Sequence, residues 1–567
     1  GEAATWYRKA ADQHDATAQC TLGWMYANGQ GVAKDAAEAL KWYRKAAEQG
    51  DAAGQGALGD AYRDGEGVTK DPAEAVKWYR KSADQGNPYS QRRLGTMYAD
   101  GEGVTKDPSE AVKWYRKAAE QGDATGQWLL GMTYANGQSV AKDPIEATAW
   151  YRKSADQGDA MGQNMLGDAY RDGEGVTKDD GEAFKWYRKS ADQGSPYAQR
   201  QLGLMYANGK GILKDPSEAV SWYRKAAEQE DAASQFLLGW MFADGQGVTK
   251  DAVEAVRWFR KSAEQGIDIG QNALGDAYSD GEGVTKDAAE AVKWYRKSAN
   301  QGNSYGQRQL GWMYANGQGV TKDPVEAVKW FRKAAEQDDP TGQWLLGAMY
   351  AAGDGVSKDF SEAIKWYGKS AEQGNPDAQF QLGRMYIDGE GVLKDPAIAL
   401  QWYLKAADQG SAKAQNNIGV MYMKGDGVTA DFREAISWYR KAADQGLAIA
   451  QRNLGAIYEY GNGVSIDSAK AAEWYLKAAE QDDSDAQFNL GMMYFSGEGV
   501  AGSSSESVKW LRKAAEQDHV PAQKRLGALY FSGEPGTIDK TEAVYWYRKA
   551  ADAGDQETKT WLRKKGF

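Results

Sequence analysis

The stretch DGEGVTKDPAEAVKWYRKSADQG, residues 64–86, decides the fold because near-copies of it return along the whole chain. Its tryptophan, Trp78, recurs at Trp42, Trp114, Trp150 and onward to Trp546 with a constant spacing of 36 residues. A period of this length is typical of a solenoid built from helical hairpins. The repeat therefore overrides the prior of one globular domain for roughly every 150 residues.

The first half of each repeat has the pattern of an amphipathic helix. In residues 51–86 one face carries, at a spacing of 0, 3, 4 and 7, Gln55, Leu58, Gly59 and Tyr62, and we expect this face to be buried. The glycine recurs in every full repeat, although glycine inside a helix costs roughly 1 kcal/mol relative to alanine. We therefore expect a neighbouring helix to approach too closely there for a side chain. Gly65 is expected to end the helix as a left-handed cap.

The second half of the repeat predicts another helix with its own start signal. Asp71 is the expected N-cap, Pro72 takes the first helical position, and Glu74 is expected to reach back as in a capping box. Trp78 and Tyr79 belong to its buried face. Two antiparallel helices of this length cannot bury their apolar faces alone, so successive hairpins must stack.

Composition excludes several classes of function. The chain has 42% hydrophobic and 12% aromatic residues, enough to form a core. Its net charge of −11 argues against nucleic-acid binding, which needs a basic surface to displace counterions. No run of about 18 apolar residues occurs, so we expect no membrane insertion.

The chain offers few residues for catalysis or metal binding. Cys20 is the only cysteine, and His14 and His519 are the only histidines, near opposite ends of the sequence. No histidine-based metal site or Ser-His-Asp triad is therefore expected. The loops of the type DGEGVTKD lack calcium-loop spacing and the phosphate-loop motif. We predict no cofactor, no metal and no enzymatic activity.

The full repeat, for example AQCTLGWMYANGQGVAKDAAEALKWYRKAAEQG from Ala18, resembles the Sel-one-like repeat family, a relative of the tetratricopeptide repeats. The resemblance implies an all-α, right-handed superhelical solenoid that serves as a protein-binding scaffold. Many members are bacterial and periplasmic or secreted, which is the localisation we expect here. The bacterial members include adaptors, host-factor binders and immunity proteins against toxins, and the resemblance leaves the choice among these open.

The repeats set the expected domain organisation. Residues 1–14 form a partial repeat with only a second helix, residues 15–554 form fifteen repeats in one continuous solenoid, and residues 555–567 form a capping half-repeat with Arg563 in the glycine position. The stretch SGEPGTID, residues 532–539, departs from the usual loop. Because the sequence begins inside a repeat, with GEAATWYRKAADQHD, the lack of a leader in this chain is uninformative.

Positions on the first helix that the core does not need vary between repeats. With the first residue of a repeat, such as Asp51, counted as place one, these are places three, six, ten and thirteen. Between residues 51 and 374 they follow a second period of 108 residues, namely in Tyr89, Tyr197 and Tyr305; Arg92, Arg200 and Arg308; Trp128, Phe236 and Trp344; and Asp60, Asp168 and Asp276. Either a three-repeat block was recently duplicated, or the block presents a recurring binding surface.

Aromatic and cationic side chains at these places have the composition of interface hot spots. We therefore predict a partner-binding strip on the concave face, formed by Arg200, Phe236, Trp240, Asp276, Tyr305, Arg308, Trp312 and Trp344. The predicted function is a non-enzymatic scaffold that binds a protein partner there. The alternative is a binder of a linear polymer such as peptidoglycan or another glycan, and an enzyme is a more distant one.

Overall fold

The computed structural model describes residues 1–533 and 538–567, and all secondary structure in these residues is helical. These described residues form 32 helices, almost all of them 13 residues long, in tandem pairs. The all-α solenoid class predicted from the sequence is therefore confirmed. The unusual loop predicted at residues 532–539 lies largely outside the described residues.

The chain forms two compact units, Gly1–Lys286 and Asp287–Phe567. The helices of the first unit are α1 (Glu2–Asp12), α2 (Ala16–Asn28), α3 (Ala36–Glu48), α4 (Ala52–Asp64), α5 (Pro72–Asp84), α6 (Pro88–Asp100), α7 (Pro108–Glu120), α8 (Ala124–Asn136), α9 (Pro144–Asp156), α10 (Ala160–Asp172), α11 (Asp180–Asp192), α12 (Pro196–Asn208), α13 (Pro216–Glu228), α14 (Ala232–Asp244), α15 (Ala252–Glu264) and α16 (Asp268–Asp280).

The second unit repeats the same hairpin. Its helices are α17 (Ala288–Asn300), α18 (Ser304–Asn316), α19 (Pro324–Glu336), α20 (Pro340–Ala352), α21 (Phe360–Glu372), α22 (Pro376–Asp388), α23 (Pro396–Asp408), α24 (Ala412–Lys424), α25 (Phe432–Asp444), α26 (Ala448–Tyr460), α27 (Ser468–Ala479), α28 (Ser484–Ser496), α29 (Ser504–Glu516), α30 (Val520–Ser532), α31 (Lys540–Asp552) and α32 (Gln556–Lys565).

The predicted ends of the helices are confirmed in the pair α4 and α5, with one exception. Gly65 caps α4 with φ 78°, and the Asp71 carboxylate accepts a hydrogen bond from the Glu74 amide at 3.0 Å. The prediction that the Glu74 side chain accepts a hydrogen bond from the Asp71 amide is wrong. The Asp71 amide donates instead to the Tyr62 carbonyl at 2.8 Å, and the Glu74 carboxylate binds Lys77 Nζ at 2.7 Å. The first helix has thus already supplied the acceptor that Glu74 was expected to provide.

The glycine at place nine of the first helix lies against an aromatic ring of the second helix, as the sequence predicted. A Cβ atom built on Gly59 would lie 2.7 Å from the Cδ1 and Cε1 atoms of Tyr79. The same clash would occur at Gly95 with Tyr115 and at Gly347 with Tyr367. The two helices of a hairpin can therefore reach this separation only with glycine at place nine.

A buried glutamine connects neighbouring repeats through hydrogen bonds. Gln55 Nε2 donates to the carbonyl of Ala47, in the preceding repeat, at 3.2 Å. Its Oε1 atom accepts from Gln85 Nε2, at the end of the second helix of its own repeat, at 2.8 Å. Gln91 makes the same bonds with Ala83 and Gln121. Because both ends of the amide are satisfied, this polar side chain can be buried at little cost.

The apolar core lies between successive hairpins. One cluster in the first unit joins Ala75 and Tyr79 of α5, Leu94 and Met97 of α6, and Trp114 of α7. The tryptophan that marks the 36-residue period thus packs on the repeat before its own. At the other end of the chain, the Trp561 ring of α32 lies 4.3 Å from that of Tyr547, centroid to centroid.

The glycine contact can be tested with two glycines of one repeat. Gly347→Ala should destabilise the protein by about 1–3 kcal/mol, because the new methyl group meets the Tyr367 ring at 2.7 Å. Gly368, in α21, has no atom within 4 Å of a built Cβ, so Gly368→Ala should stabilise by about 0.5–1 kcal/mol. The urea midpoint of each variant measures the effect. Equal midpoints would mean that the ring does not need the glycine.

Candidate partner-binding surface

The arginines at place six are anchored to the protein. Arg200 Nη1 lies 2.6 Å from Asp231 Oδ2, and Arg308 Nε lies 3.5 Å from Asp339 Oδ1. Each of these aspartates is the N-cap of the first helix of the next repeat. The arginine side chains are partly buried, and their expected exposure is wrong. Their immediate role is to connect consecutive first helices within a unit.

The aromatic side chains at place six extend the core. Phe236 packs on Phe259 of its own hairpin, with ring centroids 5.9 Å apart. Trp344 packs against the cluster that contains Tyr367 and Leu382, and its indole Nε1 is buried. Both residues are partly buried. Their expected position on an open surface is therefore wrong, because Phe259 contacts Phe236 and residues of both its own and the next hairpin contact Trp344.

The aspartates at place ten accept hydrogen bonds from tyrosines of two repeats. Asp168 Oδ1 accepts from the hydroxyl of Tyr187, in its own repeat, and from that of Tyr197, in the next, each at 2.6 Å. Asp60 is bonded in the same way by two tyrosines. Burial, together with the Asp168 carboxylate, raises the pKa of Tyr187, so its hydroxyl stays protonated and donates at neutral pH. Asp276, at the third copy of this place in the sequence, is partly buried.

Tyr305 is also partly buried, and its neighbours on α18 contact it. The Arg308 guanidinium lies 4.9 Å from the centre of its ring, and Gln309 Nε2 donates to its hydroxyl at 3.1 Å. These contacts within a helix and those of the place-six arginines show that much of the 108-residue period encodes packing and hydrogen bonding. The binding role of Arg200, Phe236, Asp276, Tyr305, Arg308 and Trp344 remains a prediction.

Two residues of the predicted strip are exposed to solvent as expected. Trp240 on α14 is 41% exposed and Trp312 on α18 is 39% exposed, both at place ten. Trp24, at the same place on α2, is 49% exposed and was missed by the sequence prediction. Small residues such as Ala348 and Ala456 occupy this place in other repeats. The fold therefore does not require an indole here.

A groove of about 220 Å³ lies beside Trp240, between the first helices α14 and α16. Phe259 and Val256 of α15 lie at its apolar side, and Asp276 and Asp280 of α16 line the other side. Glu282 completes the lining. The groove thus combines an exposed aromatic residue with a group of carboxylates.

The same groove exists 108 residues earlier, with a volume of about 370 Å³. Met132 stands there in place of Trp240, Asp168 and Asp172 match Asp276 and Asp280, and Glu174 matches Glu282. The contribution of Asp280 and Glu282 was not predicted from the sequence. An alignment of the three-repeat blocks, residue by residue, could have identified these two residues, because it pairs them with Asp172 and Glu174 of the earlier groove.

No group of three or more His, Cys, Asp or Glu side chains within residues 1–533 and 538–567 is arranged to hold a metal ion. In the same residues, no helix is both long and apolar enough to cross a membrane.

The tandem hairpins define an α-solenoid repeat protein, a class of scaffold. The family model described as Sel1 repeat matches residues 1–15, 16–51, 52–87, 88–123, 124–159, 160–195, 196–231, 232–267, 269–303, 304–339, 340–375, 376–411, 412–447, 448–483, 484–519 and 520–555. The chain therefore belongs to the Sel1 repeat family. This confirms the resemblance seen in the sequence.

Solved structures of bacterial proteins are similar to this chain. A protective antigen of uropathogenic Escherichia coli strains, described as displaying an SLR fold, is 37% identical, with 79% of this chain and 97% of that chain covered and a TM-score of 0.66. A Sel1 repeat protein from Oxalobacter formigenes is 36% identical, with 56% and 94% covered and a TM-score of 0.46. An immunity protein from Pseudomonas aeruginosa is 24% identical, with 38% and 81% covered and a TM-score of 0.27. The comparison with curated proteins finds no match.

The structural role of place ten can be tested at Asp168. Asp168→Ala should cost about 2–3 kcal/mol, because the partly buried hydroxyls of Tyr187 and Tyr197 lose their acceptor. Asp172→Ala, which removes a neighbouring exposed carboxylate, should change the stability by less than about 0.5 kcal/mol. Urea unfolding measures both variants. Equal small effects would show that the tyrosine bonds contribute nothing.

Proposed function

We propose that this protein is a non-enzymatic scaffold that binds a protein partner through the first helices of its repeats. The observation that carries the proposal is the exposure of Trp240 and Trp312 at a place that alanine occupies in other repeats. Tryptophan is enriched among residues that dominate the energy of protein interfaces. An exposed indole that the fold does not need is best explained by a binding role.

The residues of the predicted strip have two different roles in this proposal. Trp240 and Trp312 make direct contact with the partner in this proposal. Arg200, Phe236, Arg308 and Trp344 support the surface from below, through the ion pairs and ring contacts already described. This division is consistent with hot spots that are small in number and surrounded by supporting residues.

We place the protein in the periplasm or outside the cell. Support comes from its similarity to a protein described as a protective antigen of Escherichia coli, of which 97% is covered at 37% identity. A role as adaptor, host-factor binder or immunity protein agrees with the same surface. The identity of the partner decides among these roles.

The test begins with identification of the partner by cross-linking and mass spectrometry in envelope and host extracts. Trp240→Ala and Trp312→Ala should then each weaken binding of the purified partner by about 2 kcal/mol or more, roughly thirtyfold. Calorimetric titration measures the affinity. Thermal unfolding should change little, because both indoles are largely outside the core.

A matched control is Leu213→Ala. Leu213 is 87% exposed but lies in the loop between α12 and α13, away from the helix faces. Its loss should leave the affinity unchanged. Unaltered binding by both tryptophan variants would overturn the proposal. Competition of the partner by peptidoglycan fragments would favour the glycan-binding alternative instead.

A further inference from the structure

The helix α16, which lines the groove beside Trp240, lacks an arginine that the corresponding helices of the first two blocks carry. In the second block, Arg171 lies on the same helix as Asp168 and Asp172 and binds both. Its Nη1 atom lies 2.7 Å from Asp168 Oδ1, and its Nη2 atom lies 2.6 Å from Asp172 Oδ2. The Nε atom also donates to Asp172 Oδ1 at 2.8 Å. The protein itself therefore shows how these two carboxylates hold a guanidinium group.

The first block has the same arrangement. Arg63 donates from Nε and Nη2 to the two carboxylate oxygens of Asp64, at 2.8 and 2.7 Å. Its Nη1 atom lies 3.8 Å from Asp60 Oδ1. A paired, fork-like contact with a carboxylate is the strongest form of arginine recognition. In two of the three blocks, an arginine of the same helix thus pairs with these two carboxylates.

In the third block a serine, Ser279, stands where Arg63 and Arg171 stand. Asp280 forms no ion pair with any residue in the described parts of the chain, 1–533 and 538–567. Lys286 and Lys178 occupy the same place in their blocks, so the arginine is the cation that is lost. Asp168 accepts two tyrosine hydroxyls and the Arg171 guanidinium together. A carboxylate at this place therefore binds an arginine without giving up its tyrosines.

We propose that the Trp240 groove holds an arginine side chain of the partner protein, with its guanidinium on Asp280 and Asp276. This inference rests on the proposed function and names the chemistry of the partner at one point of the surface. Because Ser279 replaces the internal arginine that would pair with Asp280, these two carboxylates form an arginine seat that the partner fills.

The remaining differences between the two grooves favour the binding of an arginine side chain. Trp240 replaces Met132 and supplies an indole face, which attracts a cation through its quadrupole. Phe259 and Val256 replace Tyr151 and Thr148, so the apolar side loses two hydroxyl groups. The aliphatic part of an arginine packs well on such a surface. A lysine would lose the two-point contact with Asp280.

The test uses the full chain and the peptide acetyl-Gly-Arg-Gly-amide as probe, at low ionic strength, with ligand-observed NMR titration. The same peptide with citrulline in place of arginine keeps the shape without the charge, and it should bind at least tenfold more weakly. Ser279→Arg should reduce binding of the arginine peptide at least tenfold, because the new side chain occupies the seat as Arg171 does. Equal binding of the two peptides, or undiminished binding by Ser279→Arg, would overturn the proposal.

Two controls separate charge from bulk and one groove from the other. Ser279→Met adds a side chain of similar length without charge and should retain binding within about threefold. Asp280→Asn should weaken binding at least tenfold, whereas Asp172→Asn, which removes a carboxylate that Arg171 already binds, should leave it unchanged. Equal losses in Ser279→Met and Ser279→Arg would contradict the arginine seat.

The failure of this inference is distinguishable from that of the proposed function. If the purified partner binds Trp240→Ala weakly but Ser279→Arg normally, the scaffold role stands and the arginine seat is wrong. If neither Trp240→Ala nor Trp312→Ala affects the partner, the surface itself is wrong. Thermal unfolding of each variant shows that lost binding does not come from lost structure.

Discussion

The contact between the glycine at place nine and the aromatic ring of the second helix is the constraint on which the hairpin depends. At Gly59 and Gly347 a single methyl group would lie 2.7 Å from that ring, so the two helices lie at a separation that no other residue permits. This closeness brings the glutamine at place five within reach of both the preceding repeat and its own second helix. It also brings the ring hydroxyl of Tyr79 or Tyr187 within hydrogen-bonding distance of the aspartate at place ten.

The polar network of the three-repeat blocks is built on that geometry. In the first two blocks the aspartate at place ten joins tyrosines of two repeats, and in all three an arginine at place six reaches the N-cap of the next first helix. Much of the 108-residue period is therefore structural, since these bonds repeat with it. Two residues near the groove are not explained by this network. The Trp240 indole is exposed, and Asp280 lacks its arginine because Ser279 stands at that position.

The sequence predicted the class of fold, the helix caps and the glycine contact because each of these follows from spacing within one repeat. The prediction failed where another segment of the chain makes the contact or the hydrogen bond. The Tyr62 carbonyl takes the Asp71 amide, so the capping box with Glu74 does not form. Phe236 packs on Phe259 of the second helix, and Trp344 packs on a cluster that includes the next first helix, although both look like surface positions in the sequence of a single first helix. The groove at Asp280 was not predicted for another reason. Its distinguishing feature is the absence of the arginine that the first two blocks have at the position of Ser279.

The proposed binding role requires that the partner contacts the first-helix surface around Trp240. Hydrogen–deuterium exchange of the full chain, followed by mass spectrometry with and without the identified partner, tests it most directly. We expect slower exchange in α14 (Ala232–Asp244) and α16 (Asp268–Asp280) when the partner is bound, because contact and burial reduce local opening there. Slower exchange confined to the helices after residue 375, with α14 and α16 unchanged, would contradict it.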